Sequence, residues 1–276
     1  MKLQQKLLAA LLAVAFTGGA HAAIDNSNSG NGSLFLGVID LTGQVSATFD
    51  LGINMDSFQP GSTSFQSWSL NATNFGTAWT QFITAAGANL SGAQYLIGAM
   101  DSTGAAVGND RYLSTSSSNL SLSSNQPANS QLLGFANGGT QGVDLHINGA
   151  NLLGTHGAQA DGANFATVTD GAAYVGNASG FGTSGRWNNN QSPFVAWGNV
   201  NTALSFYSFA TSSTSGLAKA AQVAYTDFTQ DFFLNSTTGV LTYGVQVAAI
   251  PEADTWAMFA AGLLVVGAIA RRRMQA

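Results

Sequence analysis

Short apolar stretches, each closed by Gly, Asn, Asp or Ser, recur along most of this 276-residue chain and restrict its fold more than any other feature. Residues 34–40 form one such stretch, and residues 44–51 alternate apolar with polar side chains. Because neighbouring side chains of a strand point to opposite faces, this alternation is typical of a half-buried strand. We expect the two stretches to pair as a β-hairpin that turns near residues 40–43.

The same patterns predict further strands and two helices. Apolar or alternating stretches predict strands at residues 65–70, 95–100, 111–115, 165–168, 172–176, 194–197, 202–207, 228–234 and 240–247. Apolar side chains recur at helical spacing in residues 74–86, where Gly87 is a natural stop, and in residues 141–153. Many short strands separated by turns favour a mainly β fold, a single sandwich- or barrel-like β domain with one or two short helices.

The first 22 residues have the organisation of a secretory signal peptide. Lys2 and Lys6 provide a positive start, residues 7–16 are apolar, and residues 20–22 (Ala-His-Ala) form a small-x-small cleavage site. We therefore expect residues 1–22 to direct export and to be removed by signal peptidase.

The remainder of the chain divides into three parts by composition. Residues 23–32 are rich in Asn, Ser and Gly, which predicts a flexible lead-in. Residues 33–247 have no fixed-period repeat and no Pro-rich linker, so one β-rich extracellular domain is the simplest organisation. Residues 250–276 differ in composition and form a separate C-terminal segment.

The low charge content limits the kinds of partner that this protein can bind. Charged residues make up only 8 % of the chain, against roughly 25 % in ordinary globular proteins. The body between the two ends contains eleven Asp and no Glu, but only Arg111, Arg186 and Lys219 as cations. Such an acidic body lacks the basic patch that binds phosphates, so we predict no nucleic-acid partner. The absence of cysteine excludes disulfides, thiolate metal sites and a Cys nucleophile.

Two glycine-rich motifs resemble ligand-binding loops but lack the required context. Residues 180–185 match the dinucleotide fingerprint GxGxxG, but the residues that follow begin a helix poorly and lead into Pro193. Residues 138–144 are similar to a calcium-binding β-helix repeat, but the motif has one residue too many and does not recur. We therefore predict no cofactor and no metal site.

The two histidines of the body, His146 and His156, are the natural candidates for catalysis. Their spacing fits no zinc motif. Ser and acidic residues are present, but a GxSxG nucleophile elbow is absent. We predict structural or surface histidines, no catalytic residues and a protein that is not an enzyme.

Tryptophan raises the question of sugar binding, because an exposed ring can cover the apolar face of a pyranose. Most Trp side chains of a β domain lie in the core, and Trp79 falls on the apolar face of the helix predicted at 74–86. Trp187 instead lies between Arg186 and three asparagines at 188–190. We therefore single out Trp187 as the candidate sugar-stacking residue.

The C-terminal segment consists of three parts in a fixed order. Pro251 and Glu252 form a short motif, residues 256–270 are uncharged, and Arg271, Arg272 and Arg273 follow. As a helix, residues 256–270 would be about 22 Å long, short of the ~30 Å hydrocarbon core, which predicts a marginal transmembrane helix suited to a temporary anchor. The arginines favour the cytoplasmic side and place the body outside, in agreement with the signal peptide.

This arrangement resembles the PEP-CTERM sorting signal of exported proteins in Gram-negative bacteria that make extracellular polysaccharide. The residues that carry the resemblance are Pro251, Glu252, Thr255, Trp256, Ala257, Gly262, Gly267, Arg271, Arg272 and Arg273. Ala253 stands where the motif has a second proline. The resemblance covers only the segment 250–276, and it implies recognition by an exosortase, a membrane transpeptidase-like enzyme. Cleavage near Pro251-Glu252 would then release the body or transfer it to the cell surface.

These observations lead to one functional expectation and two alternatives. We expect an exported cell-surface or extracellular-matrix protein that is sorted by an exosortase-like enzyme and associates with exopolysaccharide or biofilm. The first alternative is a secreted hydrolase of that polysaccharide, which would need two carboxylates about 5 to 10 Å apart on a groove. Because the body has no Glu, that pair would have to be Asp–Asp. The second alternative is a protein that stays in the inner membrane and faces the periplasm.

Overall fold

The computed structural model describes residues 23–58, 65–102, 110–132, 142–156, 161–177, 195–211, 222 and 224–244. These ranges cover most of the β-rich domain predicted at 33–247. The predicted signal peptide, residues 138–141 and 180–185 of the two glycine-rich motifs, Trp187 and the whole C-terminal segment lie outside the described residues.

Ten strands dominate the described part of the chain. They are β1 (Ser33–Asp40), β2 (Val45–Asn54), β3 (Gln66–Ser69), β4 (Gln94–Asp101), β5 (Arg111–Ser116), β6 (Ala163–Thr167), β7 (Gly198–Asn199), β8 (Leu204–Ala210), β9 (Ala224–Asn235) and β10 (Val240–Tyr243). The hairpin predicted from residues 34–51 is confirmed, because β1 and β2 pair antiparallel with Asp40 opposite Val45. Strands predicted at 65–70, 95–100, 111–115, 165–168, 202–207 and 228–234 are also confirmed as β3, β4, β5, β6, β8 and β9. The strand predicted at 240–247 is confirmed over residues 240–243 as β10, and its residues 245–247 lie outside the described residues.

Helices are short in the described part of the chain. The α-helices are α1 (Ala72–Phe75), α2 (Ala78–Ala86), α3 (Asn129–Leu132) and α4 (Gly142–Ala150), and 3₁₀ turns occur at Ser27–Ser29, Gly87–Gly92, Ser123–Asn125, Val168–Ala173 and Val175–Asn177. The helix predicted at 141–153 is confirmed as α4, which buries Val143, Ile147 and Ala150 as its spacing indicates. The mainly β composition predicted from the sequence is therefore confirmed.

The helix predicted at 74–86 is divided in two. Its apolar face is buried as predicted, including Phe75, Trp79 and Phe82. The division falls at Gly76, whose φ of +63° lies in the left-handed region and interrupts the helical backbone. Gly87 ends α2 as predicted.

All ten strands belong to one antiparallel sheet that curls back on itself. The strand order is β3-β10-β9-β8-β5-β4-β1-β2-β6, and β7 pairs with β4 beside this path. Although β3 and β2 lie far apart in this order, the indole N–H of Trp68 on β3 donates to the carbonyl of Leu51 on β2 at 3.1 Å. This contact between the first strand of the order and the last but one shows the curl directly.

The side chains on the inner face of the curl form one hydrophobic cluster, the inner core. Alternate residues of the strands other than β7 contribute to it, among them Leu36, Phe49, Ile97, Phe206, Phe232 and Tyr243. Helix α2 packs in the same cluster, where Trp79 lies 6.5 Å from Phe49 between ring centroids. A Cβ on Gly239, in the β9–β10 turn, would lie 2.5 Å from the Trp79 indole nitrogen, so α2 bridges β2 and that turn.

The opposite face of the sheet carries a second cluster, the outer core. It combines the intervening strand residues with α4 and the irregular segments that cover them, including Phe35, Leu96, Tyr112, Ile147, Trp197 and Phe209. Because both faces are covered, strand β1 is buried along its whole length. This explains why its sequence is a nearly continuous apolar stretch rather than an alternating one.

Two predicted strands are wrong, and in both segments a side chain bonds to the backbone. Residues 172–176 fall in and between two 3₁₀ turns, where Gly171 takes a φ of +62° and the backbone N–H of Val175 donates to the Ser46 hydroxyl at 3.2 Å. Residues 195–197 lie beside β5 without joining it as a strand, since Thr115 Oγ1 donates to the carbonyl of Ala196 at 3.0 Å.

The lead-in at 23–32 is packed on the domain rather than flexible. Ile24 is 2 % exposed, and its backbone N–H donates to the Asn151 side chain at 3.0 Å. The backbone N–H and the hydroxyl of Ser27 both donate to the Asp144 carboxylate of α4. These hydrogen bonds tie the segment before β1 to α4.

Replacement of Trp68, whose indole N–H links β3 to β2, should destabilise the curled sheet. Leu51 lies where the register between β1 and β2 shifts, and its carbonyl accepts a hydrogen bond from the Trp68 indole N–H instead. We expect Trp68→Phe to lower the free energy of unfolding by about 1–3 kcal/mol, because a buried acceptor loses its donor. Urea unfolding of the variant checks this, with the exposed Ser67→Ala on the same strand as control. Equal stability of the two variants would contradict the role of this contact.

Candidate functional site

Polar side chains gather in two places in the described part of the chain. One is an open cleft at the end of the sheet where β7 pairs with β4. The other is a buried cluster between β2 and the elements that cover the outer face. They differ in accessibility, and that difference decides what each can do.

The open cleft has a volume of about 630 Å³. Amides and hydroxyls make up most of the accessible part of its lining, beside exposed Ala203 and partly exposed Val195. The accessible polar residues include Gln94, Ser117, Asn119, Asn199, Thr202 and Ser205. Its size falls within the range of small-molecule and saccharide sites. Side chains of this kind recognise a ligand through hydrogen bonds rather than through charge.

Serine hydroxyls after β5 hold the wall of this cleft in place. The Ser117 hydroxyl donates to the carbonyl of Trp197 at 2.9 Å, and the backbone N–H of Val195 donates to the Ser118 hydroxyl at 2.7 Å. These bonds replace the ladder that a regular strand would provide. The repeated serines at 116–118 therefore have a structural reason, which is to pair the backbone of residues 195–197.

The floor of the cleft is closed and aromatic. Trp197 is 1 % exposed and packs on β1, where a Cβ on Gly37 would lie 3.2 Å from the indole ring. A Cβ on Gly198 would lie 2.2 Å from the Leu204 side chain, so glycine is required for this close approach. Because the Trp197 ring is covered, it supports the cleft and leaves recognition to the polar rim.

Two amide side chains stand next to each other in the cleft. Gln94 on β4 and Asn199 on β7 are directly opposite partners in an antiparallel pair. Opposite residues of such a pair project to the same side of the sheet. Gln94 is partly exposed and Asn199 exposed, and neither side chain makes a hydrogen bond to another described residue. Their donors and acceptors are therefore free for a ligand.

The cleft is electrically neutral. Its lining contains no Asp, Glu, His, Lys or Arg among the described residues. Arg111, the only Lys or Arg that the described ranges contain, points elsewhere and is held by Asp101 and Asp56 at 2.8 Å each. The cleft therefore offers no charge to attract a phosphate or a carboxylate.

A second, smaller cleft of about 410 Å³ adjoins the first. Exposed Thr42, Asn89 and Ser91 line it, and Gln94 lines both clefts. Its one carboxylate, Asp40, is only 3 % exposed, and one of its oxygens accepts the backbone N–H of Thr42 at 2.9 Å. Gln94 therefore marks the junction of two polar clefts.

In the buried cluster, His146 is fully enclosed and hydrogen-bonded on both sides of its ring. Nδ1 lies 3.1 Å from the Ala172 carbonyl, which can only accept, so Nδ1 carries the proton. Nε2 then accepts from the Thr48 hydroxyl at 2.9 Å. Burial lowers the pKa of His146 to about 4, and nearby His156 adds to this effect. This agrees with the predicted structural, hydrogen-bonded role.

Three other side chains of this cluster each have one polar atom without a hydrogen-bond partner. They are Asp50 Oδ2, His156 Nδ1 and Asn164 Nδ2. His156 Nε2 lies 3.2 Å from Asn164 Oδ1, while Asp50 Oδ1 accepts the backbone N–H of Gly52 at 2.9 Å. All three residues are at most 1 % exposed. An unpaired buried polar atom costs free energy, so this cluster bears on stability and offers no accessible surface to a ligand.

Aspartates whose pKa is raised by burial and by neighbouring carboxylates lie away from both clefts. Burial raises the pKa of Asp50 to about 7, and the charges of Asp161 and Asp25 raise it further. Burial likewise raises the pKa of Asp110 to about 6, with a contribution from Asp101. None of these five residues lines the two clefts. Across the described ranges, no group of three or more His or acidic residues is arranged to hold a metal ion.

Comparisons with family models, curated proteins and solved structures found no match to this chain. None of the helices within the described ranges has the length and apolar character needed to cross a bilayer. The site described above therefore depends on the geometry of this chain alone.

Sequence reasoning placed the sugar site at Trp187, outside the described residues, and did not identify Gln94 or Asn199. No local signal marks these two amides, because they lie about a hundred positions apart in the chain. Only the pairing of β7 with β4 brings them together. The repeated Ser and Asn at 116–119 are the one local hint, since such a stretch beside a strand end is rich in hydrogen-bonding groups.

Removal of the buried Asp50 charge should stabilise the fold in a pH-dependent way. Below the ordinary pKa of 3.8 this carboxyl is protonated in both the folded and the unfolded chain. As the pH rises towards 7 only the unfolded chain releases the proton, so the wild type loses stability over this interval. We expect Asp50→Asn to gain little at the acidic end and up to about 4 kcal/mol above neutrality.

Urea unfolding of Asp50→Asn and wild type across this pH interval checks the prediction. Asp231→Asn replaces an exposed carboxylate and controls for the charge change itself. A gain for Asp50→Asn that is equally large at both ends of the interval would contradict a buried carboxyl that keeps its proton.

Proposed function

We propose that this chain is an exported cell-surface or extracellular-matrix protein that associates with extracellular polysaccharide and has no catalytic role. The observation that carries this proposal is the neutral cleft, which is lined by amides and hydroxyls and in which the amides of Gln94 and Asn199 have no hydrogen-bond partner among the described residues. Sugar hydroxyls both donate and accept hydrogen bonds, so amide and hydroxyl side chains complement them in both directions. In this proposal Trp187 provides an additional stacking surface.

The two ends of the chain support the location. We propose that signal peptidase removes residues 1–22 and that an exosortase-like membrane enzyme recognises Pro251, Glu252, Thr255 and Trp256. The transmembrane helix at 256–270 and Arg271, Arg272 and Arg273 would hold the protein in the inner membrane until then. The curled sheet would be the barrel-like extracellular domain between these two signals.

The lining of the clefts favours binding over hydrolysis. A glycoside hydrolase of the common type needs two carboxyl groups on either side of the scissile bond. Among the described residues, Asp40 is the only carboxylate that lines either cleft, and it is almost completely covered. The neutral larger cleft and the acidic body likewise give no support to a nucleic-acid partner.

Association with polysaccharide should not depend on salt. We expect the exported protein, purified from the culture, to be retained on the extracellular matrix of the organism that makes it. Because the cleft is neutral, soluble matrix polysaccharide should release it and high salt should not. A pull-down with both eluents checks this. Passage through the matrix unbound, or release by salt alone, would contradict the proposal.

Sorting should remove the C-terminal segment from the exported protein. We expect intact-mass analysis of the extracellular form to show loss of the segment that contains Arg271, Arg272 and Arg273. Pro251→Ala with Glu252→Ala should abolish the processing and keep the protein with the membrane fraction. Gln246→Ala, which precedes the segment 250–276, serves as the control. An extracellular species that retains the three arginines would rule out sorting by cleavage.

A further inference from the structure

We infer that Gln94 and Asn199 act as an amide pair that binds neighbouring hydroxyls of a neutral glycan, and that this glycan continues past Gln94 into the smaller cleft. The inference rests on the proposed association with polysaccharide and adds the ligand class and the residues that select it.

Geometry makes the two amides one recognition unit. Directly opposite residues of an antiparallel pair have Cβ atoms roughly 4.5–5.5 Å apart. Gln94 and Asn199 occupy such positions on β4 and β7. Each amide offers one acceptor oxygen and two N–H donors, and each sugar hydroxyl can both donate and accept. Two amides at this spacing can therefore engage two hydroxyls of one sugar unit, or of adjoining units.

The fold does not need these amides for its own stability. Both residues contribute to the β4–β7 pairing through their backbones, whereas their side chains make no hydrogen bond to another described residue. Neither belongs to the inner or the outer core. Truncation of either side chain should therefore change binding without changing the thermal stability.

The position of Gln94 indicates an extended ligand. Gln94 lines both the cleft of about 630 Å³ and that of about 410 Å³, whereas Asn199 lines only the larger one. A short saccharide in the larger cleft would contact both amides. A longer chain that also enters the smaller cleft would depend more on Gln94, because this side chain contacts the ligand on both sides of the junction.

Charge selects against acidic polymers. The larger cleft has no cationic or anionic lining residue among those described, and the smaller one contains the Asp40 carboxylate. Arg111 is occupied by Asp101 and Asp56. A uronic-acid chain would bring carboxylates into clefts without a counter-charge on an acidic body, which costs desolvation energy. A neutral glycan carries no such cost.

Calorimetry with defined saccharides tests the inference on the full chain. The neutral probes are the disaccharides and hexasaccharides of β-1,4-, β-1,3- and α-1,4-linked glucose, and the acidic probe is a mannuronate hexamer. We expect binding of at least one neutral hexasaccharide and none of the mannuronate. Gln94→Ala and Asn199→Ala should each weaken binding of that hexasaccharide about fivefold to tenfold, because each removes hydrogen bonds to the ligand.

Three comparisons make the test specific. Gln81→Ala, which truncates an exposed amide on α2 away from the clefts, should bind as the wild type does. All three variants should keep the wild-type melting temperature. For the corresponding disaccharide, Gln94→Ala and Asn199→Ala should lose equal affinity, whereas for the hexasaccharide Gln94→Ala should lose more.

The outcomes separate this inference from the proposed function. Unchanged hexasaccharide affinity in both variants, or binding of mannuronate as strong as that of the neutral probes, would overturn the amide pair as the selecting device. Retention on the native matrix without binding of any neutral probe would overturn the ligand class while the association with polysaccharide stands. Failure to bind the native matrix would instead remove the proposed function itself.

Discussion

The aromatic packing inside the curled sheet is the interaction on which the rest of the structure depends. The Phe206 ring lies 4.8 Å from Phe232 and 5.3 Å from Phe58 between centroids, both edge-to-face. Such pairs add about 0.5–1.5 kcal/mol each beyond the burial of their area. The chain has no cysteine, so burial must provide the stability that disulfides provide in many exported proteins. The Tyr95 hydroxyl links this core to the backbone at the surface, since it lies 2.7 Å from the Thr202 carbonyl and 2.9 Å from that of Phe232.

Hydroxyl and amide side chains have a structural use that explains the low charge of the sequence. Thr115, Ser117 and Ser118 pair with the backbone of residues 195–197, and Asp144 holds Ser27 of the segment before β1. Short polar side chains suit this purpose because they reach nearby backbone groups with little loss of conformational entropy. At the open cleft the same residue types face solvent, and the amides of Gln94 and Asn199 there have no partner among the described residues. One composition therefore yields both an ordered scaffold and a neutral open cleft.

The strands of the sheet could be predicted from the sequence because alternation and turn residues are local signals, and the hairpin of β1 and β2 follows from them. The strand predicted at 172–176 is wrong because Gly171 turns the backbone and the N–H of Val175 pairs with the Ser46 hydroxyl rather than with a strand. The candidate site could not be predicted, since Gln94 and Asn199 meet only through the pairing of β7 with β4. The curl itself also has no local signature, because it depends on contacts such as Trp68 with Leu51.

The central claim, that the neutral cleft at the end of the curled sheet contacts extracellular polysaccharide, is tested most directly by amide hydrogen exchange. The exported protein would be compared alone and with solubilised polysaccharide of its own matrix. Bound ligand shields the backbone that lines its site and slows local opening. We expect slower exchange in residues 116–119 and 198–205, with the inner-core strand β1 unchanged. Slower exchange confined to other segments, or no change at saturating polysaccharide, would contradict the account.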